Sequence, residues 1–121
     1  MDLYQQNILD HYKNPRKRGD VKNATHIGRA ENKSCGDSLT VQLIIDDKGV
    51  VKQAGFTGEG CVLSQAAASM LLEKIVGQKI NDLKKIDQKF IVDLLNISVG
   101  PNRLKCALMS VEAIKQAIEK D

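Results

Sequence analysis

Apolar and polar residues alternate in part of the first half of the chain. Elsewhere, apolar residues recur at helical spacing. Every odd position of residues 39–45 is apolar, which predicts a strand with one buried face. The polar run 46–49 ends in Gly49 and predicts a hairpin turn, because glycine accepts a positive φ. Residues 50–57 are then the returning strand, and a weaker extended segment at 26–31 predicts a third.

Helical spacing of apolar residues predicts helices on both sides of these strands. The first lies between Asp2, a candidate N-cap, and Pro15, which a helix cannot easily cross. Gly100-Pro101 is a typical start for the last helix. The other helical segments are predicted at residues 61–76, which Gly77 closes, and 82–96.

This order of elements predicts an α+β fold: a small antiparallel three-stranded sheet with helices packed on one face. The 121 residues, 42% of them hydrophobic, are enough for one core and too few for two. We therefore expect a single domain, residues 1–121.

Charge and composition indicate neither nucleic acid nor a membrane as a partner. The net charge is only +3 and aromatic residues make up 3%, whereas nucleic-acid binding usually needs a strongly basic face. The basic run within residues 13–18 is typical of a solvated turn. The longest uncharged stretch, 60–72, carries polar residues and is no membrane span. Residues 1–12 lack the features of a secretory signal, so we expect a cytoplasmic protein.

Three cysteines are the most informative residues, since an odd number without an export signal argues for reduced thiols used in chemistry or metal binding. Cys35 lies in a polar turn, Cys61 where a strand gives way to a helix, and Cys106 near the start of the last helix. Ends of elements offer unpaired N–H groups that favour a thiolate.

A structural explanation competes at each cysteine, because free cysteine often packs as a small hydrophobic side chain. Cys106, with Leu104 and Leu108 beside it, fits either explanation, and so does Cys61. The polar neighbours of Cys35 favour a functional thiol. No pair forms a C-x-x-C motif, so spacing alone does not specify a metal.

Four short motifs follow one another along residues 3–118. They are Asp10-His11-Tyr12-Lys13-Asn14-Pro15-Arg16, Ser34-Cys35-Gly36-Asp37, Gly58-Glu59-Gly60-Cys61 with Ala66-x-Ala68-Ser69-Met70, and Lys105-Cys106-Ala107. In this order they closely resemble the iron–sulfur cluster scaffold family, the group of IscU, SufU and the NifU N-terminal domain.

The resemblance implies a SufE/NifU-like fold in which Cys35, Cys61 and Cys106 converge as thiolate ligands. Asp37 would supply an oxygen ligand, completing a tetrahedral zinc site or keeping a [2Fe–2S] cluster labile. A turn or cap before the strand is the alternative role for Asp37. The family also implies a cysteine desulfurase as sulfur donor and apo-proteins as recipients of the cluster.

Three departures from the patterns of family members bear on mechanism. Lys105 stands where IscU-type members carry histidine, and its ammonium group has no lone pair for a metal. The preceding residues 99–103 lack the Leu-Pro-Pro-Val-Lys run that engages a dedicated Hsp70 chaperone, which argues against that partner. The interval from Cys61 to Cys106 is too short for the insertion usual in SufU members.

Three functions remain open from the sequence. The first is a non-enzymatic scaffold that accepts sulfur, assembles a [2Fe–2S] cluster and releases it. The second is a zinc-dependent sulfurtransferase in which Cys106 accepts persulfide sulfur and Lys105 assists by attracting the anionic sulfur, unless Lys105 is simply a solvated surface residue. The third is a structural zinc module that contacts a partner through residues 13–18. His11 is expected to make a structural hydrogen bond or a partner contact.

Overall fold

The computed structural model describes residues 2–33 and 36–119, which form three strands and five helices. In chain order these are α1 (Leu3–Lys13), β1 (His26–Asn32), β2 (Asp37–Ile45), β3 (Val51–Glu59), α2 (Val62–Ile75), α3 (Ile80–Leu83), α4 (Gln88–Leu95) and α5 (Pro101–Ala117). The predicted α+β class is confirmed.

The three strands form one antiparallel sheet in the order β1-β2-β3. The predicted alternation holds in β2, where every odd-numbered residue is buried. The hairpin turn is also as predicted: Gly49 has a φ of +81°, and the Asp46 carboxylate accepts the backbone N–H groups of Lys48 and Val50. The buried face of β2 packs against the helices and defines the core.

Helix α5 lies unusually close to strand β1. A Cβ atom at Gly28 would be only 1.8 Å from the backbone oxygen of Ala113 and 2.6 Å from the nitrogen of Ala117. The backbones of α5 and β1 are therefore in contact at Gly28, in the space that a side chain would occupy. This contact sets the depth at which α5 sits on the sheet.

Two predictions about element boundaries are wrong. Strand β3 continues through Gly58 to Glu59, because Glu59 still pairs with Ser38 of β2. Residues 82–96 are not one helical segment but parts of α3 and α4. The break occurs because the Asp87 carboxylate caps a new helix, accepting the N–H of Phe90 at 3.0 Å.

Hydrogen bonds to one buried serine hold helix α1 and the turn after it against α2. Ser69 of α2 is fully buried, and its hydroxyl lies 2.7 Å from Nδ1 of His11 and accepts the backbone N–H of Arg16 at 2.9 Å. Burial, followed by the nearby Arg16 charge, lowers the pKa of His11 below its ordinary value. The expected structural hydrogen bond of His11 is thus present, with the imidazole held neutral.

Adding one methyl group at Gly28 should force α5 away from the sheet. We expect Gly28→Ala to lower the free energy of unfolding by about 3 kcal/mol, because the new Cβ cannot avoid a helix backbone. Gly100→Ala is the matched control, since a Cβ there meets no atom within 4 Å. Urea denaturation of both variants measures the difference, and equal stability would contradict the close contact.

The buried neutral His11 should make stability depend on pH. Because its pKa is lowered in the folded chain, the unfolded chain binds the proton more tightly, and the free energy of unfolding falls as pH drops below the ordinary histidine value. We expect His11→Asn to flatten this slope between about pH 5 and pH 8. Denaturation across that pH range, with a chelator present, measures the free energy of unfolding of each variant, and His26→Asn is the control. Parallel plots of this free energy against pH for wild type and His11→Asn would refute the prediction.

Candidate metal centre

Three potential ligands converge at one end of the sheet. One carboxylate oxygen of Asp37 and the sulfur atoms of Cys61 and Cys106 all lie within 4.8 Å of one another. They come from the start of β2, the junction of β3 with α2, and α5. Ligands of a single zinc ion lie about 3–4 Å apart, so small side-chain rotations would close the set around a metal.

Asp37 is the first residue of β2 and is only 7% exposed. Its carboxylate accepts the backbone N–H of Cys61 at 3.4 Å. The chain can approach this closely because Gly60 has no side chain: a Cβ there would lie 3.2 Å from the carboxylate and 2.2 Å from Ser64 Oγ. Asp37 therefore belongs to a buried strand end rather than to the preceding turn.

Cys61 is the N-cap residue of α2, with extended backbone angles. Its side chain is exposed and makes no capping hydrogen bond within the described part of the chain. The unpaired N–H groups of the first helical turn favour negative charge at this position. The predicted position of Cys61 at a helix start is confirmed, and the stabilisation of its thiolate stays a prediction.

Cys106 does not lie at a helix end. Helix α5 begins at Pro101, so Cys106 is its sixth residue, buried at 5% exposure in the second turn. Its thiol donates to the carbonyl oxygen of Asn102, with sulfur and oxygen 3.7 Å apart. Cys106 is thus near the helix start, as predicted, but beyond the first turn, within which the helix-end effect on a thiolate fades. Stabilisation of this thiolate stays a prediction.

The donor set fits zinc or iron. Two sulfur ligands and one carboxylate suit a borderline metal, and a fourth donor would complete a tetrahedron. Cys35, the expected fourth ligand, lies outside the described residues, while its neighbour Gly36 is described and has a φ of +72°.

An apolar cavity of about 560 Å³ is lined by both Cys61 and Cys106. Its walls come from α1 and from the beginnings of α2 and α5, and Arg103 is the charged residue among those that line it. Arg103 precedes Cys106 by three residues, which places both on one side of α5. Sequence reasoning missed Arg103, although the helical offset of three could have indicated it.

Lys105 occupies a different side of the helix. It is exposed and is not among the residues that line the apolar cavity. Adjacent residues on a helix point in directions about 100° apart, so Lys105 faces away from the side shared by Cys106 and Arg103. Its expected assistance to Cys106 stays a prediction.

The fold and this cluster of sulfur and oxygen donors define a class of protein. The chain belongs to the NifU-like N-terminal domain family, whose sequence pattern matches residues 3–120. The resemblance inferred from the four motifs is confirmed.

Two relatives illustrate the functional range of the family. The chain is 34% identical over 134 aligned positions to the iron–sulfur cluster assembly scaffold protein IscU of Thermotoga maritima, covering 98% of this chain and 94% of the relative. It is also 34% identical over 136 positions to the zinc-dependent sulfurtransferase SufU of Bacillus subtilis, covering 98% and 91%.

Solved structures share the fold. The protein proposed as the SUF-system scaffold of Fervidobacterium islandicum AW-1 superposes with a TM-score of 0.79, at 24% identity over 98% of this chain and 96% of that one. The NifU-like N-terminal protein of Brucella abortus gives 0.77 at 19% identity, covering 98% and 93%. Within the described residues, every helix is too short or too polar to cross a membrane.

Proposed function

We propose that this chain is an iron–sulfur cluster assembly scaffold that builds a [2Fe–2S] cluster and transfers it to apo-proteins. The supporting observation is the convergence of Asp37, Cys61 and Cys106 within 4.8 Å. Cys35 is proposed as the fourth ligand. The cluster is cargo in this function, so the site must hold it and also let it go.

The mixed ligand set supports release. Hard carboxylate oxygen binds iron less firmly than thiolate does and exchanges more readily with an incoming thiol. Asp37 is held by the Cys61 N–H, and that hydrogen bond is long at 3.4 Å. The carboxylate is therefore the ligand that a recipient protein displaces first.

Sulfur reaches the site from a cysteine desulfurase that carries a persulfide. The Cys106 thiolate attacks the outer sulfur, the sulfur–sulfur bond of the donor persulfide breaks, and the desulfurase cysteine leaves as thiolate. Cys106 then carries the persulfide. Conversion of each transferred sulfur to sulfide requires two electrons, which an external dithiol or a reduced electron-transfer protein supplies.

A second candidate function is zinc-dependent sulfur transfer, in which Cys106 passes sulfur on without building a cluster. The similarity to SufU supports this candidate, as does the cavity that both cysteines line. Zinc would be held by the same ligands and, when bound, keeps its thiolates deprotonated. In both functions the thiols must stay reduced, which favours the cytoplasm.

Anaerobic reconstitution separates the two functions. Incubation of the metal-free chain with a desulfurase, cysteine, ferrous iron and a dithiol should produce the visible absorption of a [2Fe–2S] cluster. Zinc is removed first because these ligands bind it more tightly than ferrous iron. We expect Cys61→Ser and Cys106→Ser to prevent cluster formation, because each removes a thiolate. We expect Asp37→Ala to form the cluster but transfer it to apo-ferredoxin severalfold more slowly.

The matched control is Asp93→Ala, since Asp93 is an exposed carboxylate on α4 paired with Lys89. It should transfer at the wild-type rate. A zinc-loaded chain that accepts sulfur but yields no cluster absorption would support the sulfurtransferase. Transfer at wild-type rate by Asp37→Ala would remove Asp37 from the proposed ligands.

A cation beside Cys106 should speed sulfur acceptance by attracting the anionic persulfide. We expect Arg103→Ala to slow labelled-sulfur transfer from the desulfurase by about tenfold, the cost of one charge-assisted contact. Lys105→Ala should slow it less, because Lys105 does not line the cavity. Zinc content should be unchanged in both, since neither side chain offers a lone pair.

Comparison of the two variants assigns the role. A defect confined to Lys105→Ala would restore the assignment made from the sequence and exclude Arg103. Wild-type rates in both variants would mean that neither cation assists.

A further inference from the structure

A second cavity, of about 550 Å³, borders the glycine-rich turn that precedes Cys61. Its walls are formed by residues 58–60, by Gln65 of α2 and by the segment that follows α1. The charged residues that line it are Lys13, Arg18 and Glu59. We call it the Arg18 cavity.

The backbone fixes Arg18 at this cavity. Residues 17–19 run beside the edge of β3, where Gly19 donates its N–H to the carbonyl of Phe56 at 2.8 Å and Phe56 donates to Lys17 at 2.9 Å. The Arg18 guanidinium lies 5.7 Å from the centre of the Phe56 ring. This cation–π contact helps to hold the guanidinium beside the cavity.

The Arg18 guanidinium donates hydrogen bonds to uncharged oxygen atoms. It donates to Gln65 Oε1 at 2.5 Å and to the Gly58 carbonyl at 3.1 Å. No carboxylate within residues 2–33 and 36–119 forms an ion pair with it. A guanidinium has five N–H donors, so charge and donors remain for a ligand.

Gln65 contributes a second polar group at the Arg18 cavity. The residue is only 7% exposed and lines the same cavity. Its Oε1 is occupied by Arg18, while its Nε2 has no hydrogen-bond acceptor in the described parts of the chain. Buried N–H groups are rarely left without an acceptor. The Arg18 contact also fixes the orientation of the Gln65 amide, because a flipped amide would place its NH₂ group against the N–H donors of the guanidinium.

We propose that the Arg18 cavity binds a carboxylate, which accepts hydrogen bonds from the Arg18 guanidinium and from the Gln65 amide. The planar guanidinium matches the two oxygens of a carboxylate. Glu59 also lines the cavity and repels additional negative charge, which favours a singly charged carboxylate over a doubly charged phosphate. Lys13 adds a flexible cation to the same cavity.

The carboxylate would lie close to the metal centre. Gln65 follows Cys61 by one helical turn and donates its backbone N–H to the Cys61 carbonyl at 3.1 Å. The ligand would thus be held about one turn of α2, roughly 5 Å along the helix axis, from the cysteine. An acidic side chain of a protein that docks at Cys61 and a free carboxylic acid offer the same chemistry.

Nuclear magnetic resonance of the full chain tests the site directly, without any assay of cluster assembly. Titration with acetate at constant ionic strength should shift the Arg18 Nε–H and Gln65 Nε2–H resonances saturably. We expect Arg18→Gln to weaken acetate binding by about tenfold or more, and Arg18→Lys to weaken it as well, because lysine keeps the charge but loses the planar fork. Gln65→Leu should weaken it severalfold.

Arg29→Gln, a change at an exposed arginine paired with Glu31, should bind acetate as wild type does. A short peptide that has blocked termini and a single free glutamate side chain provides the comparison. Binding at least about tenfold tighter than acetate would identify a protein side chain as the source of the carboxylate. Equal affinity would identify a small carboxylic acid. The proposal is overturned if acetate gives no saturable shift, if folded Arg18→Lys and Gln65→Leu bind like wild type, or if phosphate binds as tightly.

Discussion

The contact between helix α5 and strand β1 determines where the site forms. Gly28 lets the helix backbone approach to a distance that no other residue allows. Ala113 makes that contact, and Cys106 precedes it by two helical turns on the same side of α5. The depth of α5 on the sheet therefore also sets the distance from Cys106 to Asp37 and Cys61, although Gly28 is far from both cysteines in sequence.

The other two ligands are brought together by the turn between β3 and α2. Pairing of Ser38 with Glu59 places the beginning of β2 beside the end of β3, and Gly60 then removes the side chain that would separate the Asp37 carboxylate from Cys61. Sheet pairing and the missing Cβ act together. A buried carboxylate and an exposed thiol result, and these have different access to solvent and to partners.

Cys61 lies between two cavities of different character. The apolar cavity is lined by both cysteines and Arg103, and the Arg18 cavity is lined by charged residues and the buried Gln65. A partner that exchanges sulfur or a cluster could insert apolar side chains into the first and present an acidic residue to the second. Such a two-point contact would orient the partner relative to Cys61, as the proposed transfer function requires.

The sequence by itself determined the elements and the chemistry. Period-two alternation identified β2, capping and breaker residues identified the helices, and the motifs around the cysteines identified the family, whose pattern implies Asp37 as a ligand. Only the tertiary structure decided the rest. It placed Cys106 in a second helical turn, aligned Arg103 rather than Lys105 with the apolar cavity, and set Arg18 beside Gln65. Local patterns specify backbone conformation, whereas the direction of each side chain follows from contacts between segments distant in sequence.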